Sequence, residues 1–303
     1  MFPHFLCIGA QKAGTTWLHH NLSQQPGVWL PPVKEIHFLD HMSPSLARRF
    51  FGSPSHHALA RAHLAEASAA LITRRGDFEA FRLALRLAFS RRDWDWYSSL
   101  FPDRAGLICG EICPGYARLP RDVIRSVVER NPNIKIIYLL RDPIDRAWSS
   151  VAMHFRKRGE QTIDAIDRDN IIKRIRYPKF FAHCKYDENI ENWLSAVPPA
   201  QMYFGFFERI AAEPWEYLGD ILGFLGLAQM PAASAPAERI NAGKGEVIDA
   251  AIEGELAVIL HDEAVRAHDR FGNAFTAKWL AHARAVAQAT KSSSPVNGLT
   301  APA

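Results

Sequence analysis

The sequence predicts an α/β fold: a central parallel sheet flanked by helices, carrying a helical insert. Three observations predict it. Short apolar or β-branched runs alternate with stretches of helical periodicity. A glycine-bounded loop joins the first such run to the first helical stretch. One long segment, 43–100, interrupts the alternation with helical, arginine-rich sequence.

Phe5, Leu6, Cys7 and Ile8 run into Gly9 and predict a strand over 5–9. A helix is predicted over 15–25, stopped by Pro26 and Gly27. The segment 43–100 reads as a cap inserted into a single domain over 1–289. Its arginines (Arg74, Arg75, Arg82, Arg86, Arg91, Arg92) read as a solvated face. Strands are predicted over 107–111, 134–140 and 202–206. Helices are predicted over 120–130, opened by Pro120, and over 143–156, opened by Pro143. Two more are predicted over 186–197 and 215–225. In these, Ile190, Trp193, Leu194 and Val197, and then Trp215, Leu218, Leu222 and Leu225, recur at helical spacing. Residues 246–286 read as one or two terminal helices, and 290–303, rich in Ser, Pro and Gly, as a flexible tail.

Composition narrows the function classes. The 303 residues are 48% hydrophobic, which suits a globular core, and no apolar run approaches the length of a membrane span. No signal peptide is expected, because the N-terminus enters the first strand at once. Cys7, Cys109, Cys113 and Cys184 are too scattered for a disulfide framework or a zinc site, so a reducing, cytoplasmic setting and no metal are expected. A net charge of +4 suits an anionic small molecule and is too weak to suggest nucleic acid.

The loop from Gly9 to Gly14 carries the chemistry. Backbone N–H groups of such a loop and of the following helix N-terminus converge on one point, and the helix dipole favours an anion there. The glycines stand at the spacing of a nucleotide-binding P-loop, so the sheet is expected to be P-loop-like. Thr15, however, occupies the position where a nucleoside triphosphatase needs lysine, and the loop's lysine is Lys12. A second anion site is expected where the third strand ends. Arg141 stands at the carboxyl end of a parallel strand, and Ser149 lies eight residues further, in the helix opened by Pro143. A guanidinium fork with a hydroxyl makes a phosphate site. Two such sites describe a ligand phosphorylated at two separated points.

These segments resemble the sulfotransferases that use 3′-phosphoadenosine 5′-phosphosulfate (PAPS), in their heparan-sulfate-type and bacterial branch. Lys12-Ala13-Gly14-Thr15-Thr16-Trp17 looks like the family's 5′-phosphosulfate loop, and Arg141 to Ser149 its 3′-phosphate segment. Lys34-Glu35-Ile36-His37-Phe38-Leu39-Asp40 and Glu111-Ile112-Cys113-Pro114-Gly115-Tyr116 resemble two further motifs. Tyr186 with Trp193 and Leu194, Phe206-Phe207-Glu208-Arg209 and Phe224 to Leu227 resemble the family's C-terminal half. Lys244-Gly245 resembles the loop that closes on the 3′-phosphate. The likeness covers about residues 5–245.

The resemblance implies in-line transfer of a sulfuryl group from PAPS to a hydroxyl acceptor, leaving adenosine 3′,5′-bisphosphate, without a metal. It implies that the N–H groups of Ala13, Gly14, Thr15 and Thr16 hold the 5′-phosphosulfate and that Lys12 reaches the bridging oxygen. Arg141, Ser149, Lys244 and Gly245 are implied at the 3′-phosphate, and Trp17 and Tyr186 beside adenine. Glu35 is the implied general base, with His37 orienting the acceptor or serving as base itself. The acceptor is expected to be a glycan or small-molecule hydroxyl, with carbohydrate favoured. Ile112, standing where polysaccharide-acting members often carry lysine, speaks against an acidic polymer. Trp94, Trp96 and Tyr97 offer the alternative of an apolar pocket for a lipid, polyketide or aryl hydroxyl. The rival activity is phosphoryl transfer by a P-loop kinase or triphosphatase. The sequence leaves the oligomeric state open.

Overall fold

A computed structural model describes residues 1–42, 65, 78–90, 92–101, 106–156, 166–228 and 248–293. Among them the chain forms β1 (Phe5–Gly9), α1 (Thr15–Ser23), β2 (Val28–Trp29), α2 (Phe78–Phe89) and α3 (Trp94–Ser98). It continues with β3 (Ile108–Ile112), α4 (Arg121–Arg130), β4 (Lys135–Leu140), α5 (Pro143–Arg156), α6 (Arg168–Ile175) and α7 (Pro178–Phe181). Then come α8 (Tyr186–Leu194), β5 (Met202–Phe206), α9 (Arg209–Ala212), α10 (Pro214–Leu225), α11 (Ala250–Phe271) and α12 (Ala274–Ser293). The chain divides into two compact units, Met1–Leu140 with Glu188–Asn241, and Arg141–Asp187 with Ala242–Ala303.

The first unit holds the sheet. Its strands lie in the order β2-β3-β1-β4-β5. Every pair is parallel, with Phe5 opposite both Gly110 of β3 and Lys135 of β4. All five residues of β1 are buried, as a strand covered on both faces requires. The chain runs from β1 to β2 and β3 on one side, then crosses to β4 and β5 on the other. The carboxyl ends of β1 and β4 therefore flank the point where strand order reverses, the place where open α/β sheets bind ligands. The order and parallel pairing are those of the α/β sheet expected, and the four predicted strands fall within a residue of the observed ones. The edge strand β2 has only two residues, too short to carry a periodic signal. The segments expected to cap the sheet lie mostly outside the described residues; α2 and α3 are helical, as expected of that region.

The second unit is helical. Ile144, Trp148, Val151 and Phe155 on α5 pack with Ile171 and Ile175 on α6 and with Leu256 and Leu260 on α11. Two of its helices, α5 and α11, start on aspartate caps. Asp142 accepts from the N–H groups of Ile144 (2.8 Å) and Asp145 (3.3 Å) at the start of α5. Asp249 accepts from Ala251 and Ile252 at the start of α11. Gly272, in the left-handed region at φ 55°, ends α11 and lets α12 begin, which resolves the terminal segment into two helices.

Candidate active site

The β1–α1 loop is shaped by its glycines. Gly14 is the N-cap of α1, at φ 90°, and no side chain caps that helix. A Cβ at Gly14 would stand 2.3 Å from the Ile210 Cδ1 tip, which would have to swing away, and the left-handed φ itself favours glycine. The first-turn N–H groups of α1 thus face the loop mouth with no capping oxygen competing for them. Lys12 lies within the turn at φ 73°, with Ala13 buried beside it.

A second segment folds over this cradle. Lys34 Nζ donates to Thr16 Oγ1 at 3.0 Å and stands 3.8 Å from Glu35 Oε1. Glu35 Oε2 is 3.4 Å from His37 Nε2, and His37 Nδ1 is 2.6 Å from Asp40 Oδ2. Lys34, Glu35 and His37 keep partial exposure, whereas Ile36, Phe38, Leu39 and Asp40 are buried. Burial works against a charged imidazole at His37, and Cys113, Asp40 and Glu35 work for it. Burial pushes the Cys113 thiol up to about 12, so that thiol is neutral at physiological pH. Hydrogen bonds to Asp40, the Cys113 sulfur and Glu35 favour the charged imidazole and raise His37 above the ordinary histidine value. The donor atoms of His37, Asp40 and Cys113 all lie within 4.8 Å of one another. Two ligands of a single ion bound at about 2 Å stand about 3 Å or more apart, so the 2.6 Å contact from His37 to Asp40 is the spacing of a shared proton.

In the second unit, the run from Arg141 to Ser150 is buried except at Arg141, Asp145 and Ser149. Asp145 and Ser149, four residues apart, share one face of α5, and Arg141 lies just before that helix. Arg141 Nη2 is 3.5 Å from Asp145 Oδ2. Two contacts fix the segment. Tyr186 donates its hydroxyl to the Arg141 carbonyl at 2.7 Å. His282 on α12 places Nδ1 2.9 Å from Asp142 Oδ2 and Nε2 3.1 Å from Glu253 Oε1. Hydrogen bonding to Asp142, opposed by burial, lifts His282 to about 9. Its folded pKa is raised, so the clamp is complete below the ordinary histidine value and is lost as pH rises through about 9. The wild-type thermal midpoint is expected to fall over that alkaline window more steeply than that of His282→Gln; parallel curves would mean that the clamp does not stabilise the fold.

The structure thus ties Lys34, next to Glu35 and near His37, to Thr16 in the first turn of α1, and pairs Arg141 with Asp145. Tyr186 is buried with its hydroxyl committed to Arg141. Trp17 is 2% exposed and stacks on Tyr217 at 5.6 Å. Lys244 and Gly245 lie outside the described residues. Sequence reading missed Lys34 as the tie to Thr16, Glu111 and the His282 clamp. Only Lys34 and Glu111, inside segments that resemble family motifs, had a sequence signal. The four cysteines are buried and free of disulfides.

The model of the sulfotransferase family matches residues 3–231. The chain belongs to the sulfotransferase family. It is 29% identical over 139 residues to human heparan sulfate glucosamine 3-O-sulfotransferase 3B1, covering 45% of this chain and 35% of that one. It is 24% identical over 250 residues to human bifunctional heparan sulfate N-deacetylase/N-sulfotransferase 2, covering 74% of this chain and 22% of that one. The matches thus span about a third or less of these curated relatives. Among solved structures, the sulfotransferase from Alicyclobacillus acidocaldarius aligns with TM-score 0.62 and 22% identity, over 92% of this chain and 99% of that one. The sulfotransferase domain from the curacin biosynthetic pathway aligns with TM-score 0.53 and 19% identity, over 80% and 81%. These likenesses establish the fold. The helices α11 and α12 of this sulfotransferase lie beyond the family-matched residues. No helix among the described residues is long and apolar enough to cross a membrane.

Proposed function

We propose that this sulfotransferase moves a sulfuryl group from PAPS to a hydroxyl acceptor. The observation that carries the reading is the Lys34–His37 segment seated on the glycine cradle through the 3.0 Å contact from Lys34 to Thr16. That contact brings a carboxylate to the loop where an anion binds. The uncapped start of α1 and the left-handed glycine at its N-cap fit a phosphosulfate.

The N–H groups of Ala13, Gly14, Thr15 and Thr16 take the 5′-phosphosulfate oxygens, with the Thr15 and Thr16 hydroxyls adding donors. Lys12 meets the oxygen bridging sulfur and phosphorus, where charge grows as that bond breaks. Arg141 and Ser149 take the 3′-phosphate, joined by Lys244 and Gly245 from the family resemblance. Glu35 accepts the acceptor's hydroxyl proton as its oxygen attacks sulfur, and adenosine 3′,5′-bisphosphate leaves. His37 orients rather than accepts, because an imidazole held protonated has no lone pair for a proton. No step calls for a metal.

Carbohydrate remains the favoured acceptor, supported by the heparan-sulfate enzymes among the relatives. The burial of Trp96 and Tyr97, with Tyr97 stacked on Phe38 at 4.5 Å, weighs against an apolar pocket built from them. A cytoplasmic setting suits four reduced cysteines. The test is a panel of hydroxyl acceptors with labelled PAPS in the presence of a chelator, read by transfer of label. Magnesium-dependent ATP turnover without label transfer would replace this reading with phosphoryl transfer. In the same preparation, Arg141→Ala is expected to weaken adenosine 3′,5′-bisphosphate binding by about tenfold or more, measured by titration calorimetry.

A further inference from the structure

Glu111 lies near the carboxyl end of β3, next to β1 in the sheet, and is 1% exposed. Its carboxylate accepts three hydrogen bonds. Oε1 takes the Ile36 N–H at 3.2 Å and the Tyr116 hydroxyl at 2.9 Å, and Oε2 takes the Tyr97 hydroxyl at 2.5 Å. The Tyr116 oxygen in turn accepts from the N–H groups of Phe38 (3.0 Å) and Leu39 (3.4 Å). One carboxylate therefore holds the amides of residues 36, 38 and 39, directly or through one phenol.

The residues between those amides are the ones that need holding. Glu35 has φ 61° and His37 has φ 55°, left-handed conformations that a side chain disfavours by about 1–2 kcal/mol per residue. Such backbone persists only where its surroundings over-determine it. Held amides alternate here with strained residues, and the strained residues are the proposed base and its partner.

We propose that Glu111 is the positioning residue of this sulfotransferase, acting through the amides of Ile36, Phe38 and Leu39 to keep Glu35 and His37 over the cradle. The inference rests on the transferase reading for its effect on rate, and on geometry alone for the anchoring. Tyr97 on α3, Cys113 and Tyr116 after β3 and His37 in the anchored loop are the ionisable groups around Glu111, and the Cys113 thiol is neutral. Both phenols are pushed well up, by burial first and then by Glu111, and stay protonated as donors. Burial, opposed by those hydroxyls, by His37 and by the Ile36 N–H, lifts the Glu111 carboxyl to about 7. The charged form that accepts all three bonds is thus present above that pH and is lost below it. Because the folded pKa is raised, the charged carboxylate opposes folding at neutral pH, as a group kept for geometry would.

The experiment compares wild type, Glu111→Gln and Tyr116→Phe. Amide hydrogen exchange at Phe38 and Leu39 is expected to quicken by about tenfold in Tyr116→Phe, with β1 unchanged, since each amide loses its acceptor. In both variants kcat is expected to fall by about tenfold or more while adenosine 3′,5′-bisphosphate affinity stays within about twofold. In Glu111→Gln the acid limb of the kcat profile near neutrality should disappear, with no loss of thermal midpoint above it. Unchanged exchange at Phe38 and Leu39 would overturn the anchoring, whatever the turnover. Rate, nucleotide affinity and thermal midpoint falling together would overturn the positioning role in favour of a general structural one. Wild-type protein that transfers no label to any acceptor would fail the transferase reading, and the exchange data would still decide the anchoring.

Discussion

Lys12→Ala is expected to lower kcat for sulfuryl transfer by about a thousandfold, the scale of removing one charge-stabilising group from a transition state. In-line transfer passes through a loose transition state, in which positioning and charge stabilisation supply most of the rate. The leaving phosphate gathers charge at its bridging oxygen, and Lys12 is the cation that the Gly9–Gly14 turn carries. The substitution is well controlled. Lys12 sits at φ 73°, and alanine meets the same steric penalty there, so backbone strain is carried over unchanged. The thermal midpoint should therefore hold. Affinity for adenosine 3′,5′-bisphosphate should change by about tenfold at most, because the interaction belongs to the transition state. The measurement is single-turnover transfer of label beside a melting curve. If Lys12→Ala kept about a tenth or more of the wild-type rate and Lys34→Ala did not, the stabilising role would pass to Lys34, which stands 3.0 Å from Thr16.

Glu35→Gln should cost about a hundredfold to ten-thousandfold in kcat, the usual contribution of a positioned proton acceptor. Glutamine keeps the shape and the φ 61° backbone demand and removes only basicity. Nucleotide affinity should not move. His37→Gln should cost less, since its hydrogen-bond partners keep that imidazole charged and leave it the task of orientation. The two variants compared over a pH series with one acceptor make the test. A rate within about threefold of wild type for Glu35→Gln would remove it as base, and a larger loss in His37→Gln would reverse the assignment.

The sheet was legible because its longer strands are short, largely apolar runs bounded by turn or polar residues, as in Phe5 to Gly9. The cradle was legible because glycine spacing reports backbone geometry directly. Lys34 was not, because its tie to Thr16 depends on how the segment after Pro31 and Pro32 folds back, a tertiary fact. Glu111 read as part of a motif, but its three donors come from residues 36, 97 and 116, which no local pattern joins. Trp17 stacks on Tyr217, a residue far along the chain, and its place beside the loop does not announce that contact. His282 had no signal at all, since a single histidine on a terminal helix carries no spacing.

Strand order has a bearing on how this chain is made. The strand at the middle of the sheet, β1, precedes both of its neighbours, and the nearer of them, β3, begins only at Ile108. During synthesis a wholly apolar strand must wait for more than a third of the chain before either edge is paired, and the second edge waits for Lys135. Such long-range parallel pairing is slow and leaves sticky edges exposed on the ribosome. Recombinant yield should therefore respond to slower translation and to chaperone supply more than to any single surface substitution.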